Sequence, residues 1–240
     1  MFAQYSGVMS HDGPARRPVV VTPVQRRSRD VVARILEATG ALLNSGPGST
    51  GITMQQVAEQ AGVSVGSIYR YYADKSDLLR ATQDDTLSRF DERMVAHLAQ
   101  APPTVEGAVT AMVEVMYDHM RQRACEIGAF MTVGADDVMV GRARATHRVK
   151  LASFQDGLTR DRDRVAHDRL ELAAEVGLSI IDGLFLSYAR QITRSTPSLR
   201  LEVIAREARS AALAYLLSPP AGDWPPARPA TMANPAEAAV

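Results

Sequence analysis

Residues 52–79 read ITMQQVAEQAGVSVGSIYRYYADKSDLL. The caps and apolar spacing in this stretch decide the fold. Thr53, followed three residues later by Gln56, has the form of a capping box. In that box a hydroxyl and an amide satisfy free N–H groups at a helix start. Val57 and Ala58 ride on this helix, which is expected to stop near Ala61-Gly62, where glycine closes a helix cheaply in the left-handed conformation. Ser64 then caps a short segment through Tyr72. Two helices joined by Ala61-Gly62-Val63-Ser64 make a helix-turn-helix over 53–72. Val63 is placed to bury in the angle between them. Ile68 and Tyr72, four apart, share the face that packs on the first helix.

The opposite face carries Gly66, Ser67, Tyr69 and Arg70. Small and hydrogen-bonding residues at a helix N-terminus suit end-on entry into the major groove. Gly66 costs about 1 kcal/mol of helix propensity relative to Ala, so its presence points to a close approach. Thr53 marks a helix N-terminus whose hydroxyl and amides can bind phosphate. Asp74, with Asp77 three residues on, starts a long helix running towards Gln100. Lys75 lies in the first turn of that helix, where a cation opposes the macrodipole. A phosphate partner explains it. Tyr69 and Tyr71 offer hydroxyls beside the groove; a half-buried aromatic edge is the alternative for Tyr71.

Composition sets the bounds on this reading. The 240 residues are 46% hydrophobic and 22% charged, with 27 basic and 27 acidic groups. A neutral chain is no polycation, so a nucleic-acid site must be a local patch. Residues 1–80 hold nine basic and six acidic groups, which places the patch in the first third. Cys125 is the lone cysteine, which excludes an internal disulfide framework and a thiolate zinc site and fits a reducing cytoplasm. No uninterrupted run of 18 apolar residues or apolar N-terminal signal core is present, so neither membrane association nor secretion is expected.

Residues 52–79 resemble the recognition segment of the tetracycline-repressor (TetR) family of bacterial transcription regulators, and the resemblance extends over 28–80. The family shows a helix ending in AGVS, a Gly-Ser/Thr-aliphatic-Tyr-Arg segment, an aromatic, and Lys ahead of a Leu-Leu pair. The resemblance implies an all-α homodimer: an N-terminal three-helix DNA-binding domain plus a larger helical ligand-binding and dimerisation domain. It implies phosphate contacts at Thr53, Tyr69, Tyr71 and Lys75, and base-edge or groove contacts at Ser64, Val65, Ser67 and Arg70. Two departures stand out. Val65 replaces a frequent basic residue and could touch a thymine methyl. Tyr71 replaces a frequent histidine. Arg26, Arg27 and Arg29 are expected to add contacts from an arm ahead of the first helix.

The chain accordingly divides into a disordered tail (1–25), a DNA-binding domain (26–80), a ligand and dimer domain (81–218) and a Pro/Ala-rich tail (219–240) with Trp224. Helices are expected at 28–45, ending at Gly46-Pro47-Gly48, and at about 104–122, 124–133, 137–160, 168–194 and 198–217. The last two carry more apolar surface than a small domain covers. The resemblance makes them a four-helix dimer interface, with plain core as the alternative. Methionines and aromatics suit adaptable apolar cavities. Candidate ligand contacts are Met112, Met116, Tyr117 and Met120, then Phe130, Met131, Phe154 and Phe185, each with a plain core alternative. His119, His147 and His167 lack metal-ligand spacing, so no metal and no cofactor is expected. Asp136-Asp137 reads as solvated, and Cys125 as a buried small hydrophobe or a redox sensor. The leading function is a cytoplasmic, ligand-responsive repressor bound to operator DNA. An enzyme or small-molecule carrier is disfavoured by the absence of a nucleophile elbow, Gly-rich phosphate loop or HExxH. A DNA binder without ligand control would not need the large second domain.

Overall fold

The computed structural model describes residues 26–45, 51–132, 137–192 and 199–219. The expected tails with Trp224, the Gly46-Pro47-Gly48 stop, Asp136 and the side chain of Met131 lie outside the described residues. Helices account for all the regular structure among the described residues, with no strand. The chain is all-α, as its periodicity requires.

Helices α1 (Arg26–Ser45), α2 (Met54–Ala61) and α3 (Val65–Tyr69) close around a small core of Ile35, Val57, Ala58, Ile68 and Tyr72. Helix α4 (Lys75–Gln100) leads out of it. Asp74 caps α4 by accepting the Asp77 N–H at 2.8 Å, and Asp77 accepts the Ala73 N–H at 2.9 Å. Leu78, Thr82, Thr86, Phe90, Met94 and Leu98 are buried at every fourth position of α4. A step of four residues overshoots one helical turn by about 40°, so the buried stripe winds around the helix. Leu78 therefore sits in the small core, while Phe90, Met94 and Leu98 sit in the large one. The boundary expected near residue 80 falls inside this continuous helix.

Helix α5 (Val105–Thr132) is the centre of the second half and contacts α1 and α4 as well as every later helix. The separate helices expected at 104–122 and 124–133 are one. The Arg121-Gln122-Arg123-Ala124 junction has no Pro or Gly to end a helix. Its polar residues Arg121 and Gln122 face solvent while Ala124 is buried. Helix α6 (Asp137–Thr159), a 3₁₀ turn at Arg162–Arg164, α7 (Leu170–Ile192) and α8 (Leu201–Leu217) complete the chain. Helix α7 is the one described helix long and apolar enough to cross a membrane. Its Ala173, Ala174, Leu178, Ile181 and Phe185 are buried against the rest of the chain. A third cluster, Leu43, Ile52, Leu79, Ala129, Phe130 and Met139, fills the seam where α1 and the start of α4 meet α5 and α6.

Helices α5 and α6 cross closely at Gly157, where a Cβ would stand 2.9 Å from the Ala108 Cβ. Neither backbone can yield without moving a fully packed helix. Gly157→Ala is expected to destabilise the protein by about 1–3 kcal/mol. The check is thermal unfolding, where this corresponds to a drop in Tm of several degrees.

Candidate nucleic-acid interface and cavity

The helix-turn-helix is built from its caps. Thr53 Oγ1 accepts the Gln56 N–H at 3.2 Å, and Gln56 Oε1 accepts the Thr53 N–H at 2.8 Å. The box is complete, and the Thr53 hydroxyl also donates to Gln56 Oε1 at 3.0 Å. Gly62 closes α2 at φ 63°, ψ 42°, the left-handed conformation expected of it. Its N–H and that of Val63 reach the Glu59 and Ala58 carbonyls at 3.2 and 3.0 Å. Ser64 Oγ accepts the Ser67 N–H at 3.1 Å and lies 2.8 Å from Ser67 Oγ. Val63 packs, half-buried, against the small core. Helix α3 is shorter than expected: it ends at Tyr69, and tight turn bonds from the Tyr71 and Tyr72 N–H groups to the Ile68 carbonyl close it.

One surface collects most of the residues singled out as DNA contacts. Thr53, Ser64, Gly66 and Arg70 are exposed, and Val65, Ser67 and Lys75 are half-buried. Tyr69 is 52% exposed, a large apolar ring left in solvent. Tyr71 is the correction. The turn that closes α3 rotates it inward, where it is buried beside Ile68 and Tyr72, with the Arg70 guanidinium 6.0 Å from its ring centroid. Burial, reinforced by Asp77 and Asp85, pushes the Tyr72 hydroxyl up to about 12, so it stays protonated. The arm expected to carry Arg26, Arg27 and Arg29 is the first turn of α1, where Arg27 and Arg29 are exposed.

Helices α1 and α4 are tied to α5 through one carboxylate. Glu126 is fully buried. It accepts from Thr86 Oγ1 on α4 at 2.5 Å, from Asn44 Nδ2 on α1 at 2.9 Å and from Arg123 Nη1 at 3.0 Å. Its own N–H donates to Asn44 Oδ1 at 3.1 Å. Gly40 lets α1 approach this group: a Cβ there would meet Arg123 Nη1 at 2.5 Å.

Thr86 also borders a cavity of about 670 Å³ between α4, α5, α6 and α7. Its apolar wall includes Leu87, Ile127, Phe130, Met139, Val140 and Leu186. Of the eight candidate ligand contacts, Phe130 lines this cavity. Met112, Met116, Phe154 and Phe185 are core, each at most 3% exposed, because their helical spacing serves the α5–α8 packing. Met120 borders a different hollow of about 480 Å³ beside Cys125 and Tyr188. Tyr117 donates its hydroxyl to Glu202 at 3.3 Å. Burial pushes the Cys125 thiol up, which leaves little of the thiolate a sensor needs.

Of the cavity's polar groups, the sequence reading singles out His119 and His147, as histidines without metal-ligand spacing, and misses Lys150 and Asp182. Lys150 and Asp182 form a buried ion pair between α6 and α7, with Asp182 Oδ1 unpartnered. His147 bonds Glu175 at 3.1 Å. His119 is 5% exposed with Nδ1 unpartnered. Burial, aided by Arg93, Arg123 and Lys150, pushes its pKa down to about 3. A signal for the pair was available: Asp182 interrupts the apolar run Leu178–Leu186, and Lys150 is one of two lysines in the chain. Such a residue inside an apolar helix stripe requires a partner.

Comparison with known proteins agrees with this surface. Residues 35–82 match the family described as bacterial regulatory proteins, tetR family. The chain is 28% identical over 173 residues to the HTH-type transcriptional regulator BetI of Cronobacter sakazakii, covering 71% of this chain and 82% of that protein. The crystal structure of a TetR transcription regulator from Haloarcula marismortui superposes with a TM-score of 0.63 at 19% identity, over 78% of this chain and 97% of that one. A tetR-family regulator from Streptomyces coelicolor gives 0.57 at 16% identity, over 80% and 82%.

Two outcomes follow from the buried polar groups. Removing the Glu126 carboxylate leaves Thr86, Asn44 and Arg123 short of an acceptor, so Glu126→Ala should cost about 3 kcal/mol, read as a lower urea midpoint. His119 is neutral in the fold and protonates near pH 6.5 when unfolded. Its contribution is therefore complete above that pH and is lost as pH falls towards about 3. The wild-type urea midpoint should fall more steeply below pH 6.5 than that of His119→Leu.

Proposed function

We propose, from the tetR-family match over residues 35–82 and the 28% identity to BetI, that the chain is a TetR-type homodimeric repressor that a small, largely apolar ligand releases from its operator. The observation that carries this is the cap-to-cap helix-turn-helix presenting Ser64, Tyr69 and Arg70 to solvent, with Ser67 half-buried beside them, while Ile68 anchors it from behind. Residues 26–80 read DNA, and residues 81–218 hold the ligand and the dimer contact. Thr53, Tyr69 and Lys75 contact phosphates; Ser64, Val65, Ser67 and Arg70 meet base edges or the groove, and Gly66 permits the close approach. The protein acts in the cytoplasm, where its DNA lies.

Two recognition helices must reach half-sites about 34–36 Å apart, which requires a dimer. Helices α7 and α8 each carry two faces. Ile181, Phe185, Ile204 and Leu216 fill the chain's own core. Outward, α7 leaves Leu172 48% exposed, with Ser179 and Gly183 exposed on the same stripe. Ala211 and Ala214 are exposed on α8. These outward faces form the proposed four-helix dimer contact.

The cavity is the ligand site, and α4 couples it to the DNA. Thr86 and Leu87 border the cavity, and the Thr86 hydroxyl is bonded to the carboxylate that holds α1. A ligand that displaces this part of α4 disturbs the seating of α1 and the spacing of the two α3 helices. Release requires that the ligand prefer the displaced state, since equal affinity for both shifts nothing.

Fluorescence anisotropy of the purified protein on DNA from immediately upstream of its own gene, against a scrambled duplex at stated salt, tests the reading. Tight binding to the upstream duplex alone, at two protomers or a multiple per site, is expected; equal weak binding to both overturns it. Tyr69→Ala and Lys75→Ala should weaken all sequences alike, with the Lys75 variant lowering the salt slope by about one. Ser67→Ala should reorder preferences among operator variants.

A further inference from the structure

We propose that the ligand of the α4–α7 cavity is an amphiphile with a single acidic head group, its apolar body on the Ile127–Phe130–Leu186 wall and its acid held by Arg144 and Arg148. This deepens the reading of the cavity as the ligand site and rests on it. Both arginines line the cavity. They stand one turn apart on α6, and both are exposed, so they mark its mouth. Like charges four apart on a helix oppose each other. Among the described residues neither arginine has a carboxylate within ion-pair distance.

Arg142 on the same helix shows the contrast. It is bonded to Asp84 at 2.7 Å and to Asp91 at 3.1 Å, and it donates to Ser88 and Thr146. The fold thus supplies carboxylates to the α6 arginine that braces α4 and supplies none to the two at the cavity mouth. The carboxylate lining the cavity, Asp182, is committed to Lys150. The charge left over is therefore positive. A cationic ligand meets two guanidinium groups and an acid already paired with Lys150. A neutral one draws no charge-assisted bond from either. An acid satisfies them with charge-assisted bonds in the fork geometry that arginine favours. Deeper in, the wall of Ile127, Phe130, Met139 and Leu186 takes a hydrocarbon body by apolar burial alone.

The test is isothermal titration calorimetry of the full chain with decanoate, decanol and decyltrimethylammonium, which share a chain length, each below its micelle concentration. Decanoate is expected to bind about tenfold more tightly than decanol, with the cation weakest and the preference shrinking as salt rises. In R144Q/R148Q decanoate should fall to the affinity of decanol while decanol is unchanged. Both arginines are exposed and, among the described residues, make no ion pair, so the double variant is expected to fold, which its circular dichroism verifies. The proposal is overturned if decanol or the cation matches decanoate, if the double variant keeps the preference, or if none of the three binds. Operator anisotropy measured with and without decanoate separates the two readings. Decanoate that binds through the arginines without changing DNA occupancy upholds the ligand class and removes the cavity's role as effector site. DNA binding with no uptake of any probe leaves the regulator and sinks this proposal.

Discussion

A carboxylate with no solvent exposure holds the two halves of this molecule together. Glu126 takes three side-chain donors from three different helices, and its backbone N–H is satisfied by the same asparagine that donates to it. A buried acid is costly unless every lone pair finds a donor. The Asn44, Thr86 and Arg123 positions are therefore mutually dependent: loss of any one leaves the buried carboxylate short of a donor. The apolar cluster of Leu43, Leu79, Ala129 and Phe130 packs in the same seam. What the DNA-reading helices can do relative to the rest is constrained at this point.

The same seam explains why α4 is suited to carry a signal. Its buried stripe winds from the small core to the large one, so the helix is packed on both sides of the boundary and cannot shift at one end alone. Thr86 stands midway, touching the cavity on one side and Glu126 on the other. A packed helix with discrete hydrogen-bonded seats moves between arrangements rather than bending continuously. The cavity is charged where α6 and α7 face each other and carries an apolar wall of Leu87, Ile127, Phe130 and Leu186, which matches an amphiphile better than a plain hydrocarbon.

Legibility divided along the range of the interactions. The capping box at Thr53, the left-handed Gly62, the Ser64 cap and the Asp74 cap were readable because each is made within three or four residues. The burial of Tyr71 was not, because it depends on how one tight turn after Tyr69 directs the chain into the core formed with α1. The apparent break near Arg123 was misread for a related reason. Two exposed polar residues resemble a loop until the buried Ala124 beside them shows a helix passing through.

Local chemistry along the chain thus determined the all-α class, the helix-turn-helix and most of its exposed face, since helix caps and four-residue spacings are set by neighbours in sequence. Tertiary structure alone decided which methionines and aromatics are core and which border space. Met112, Phe154 and Phe185 share the helical periodicity of Phe130, and only the packing of four helices separates them. It also decided that Asp182 meets Lys150 and that, among the described residues, Arg144 and Arg148 meet no carboxylate. Charge pairing across 32 residues depends on where α6 lies against α7, and no local pattern specifies that.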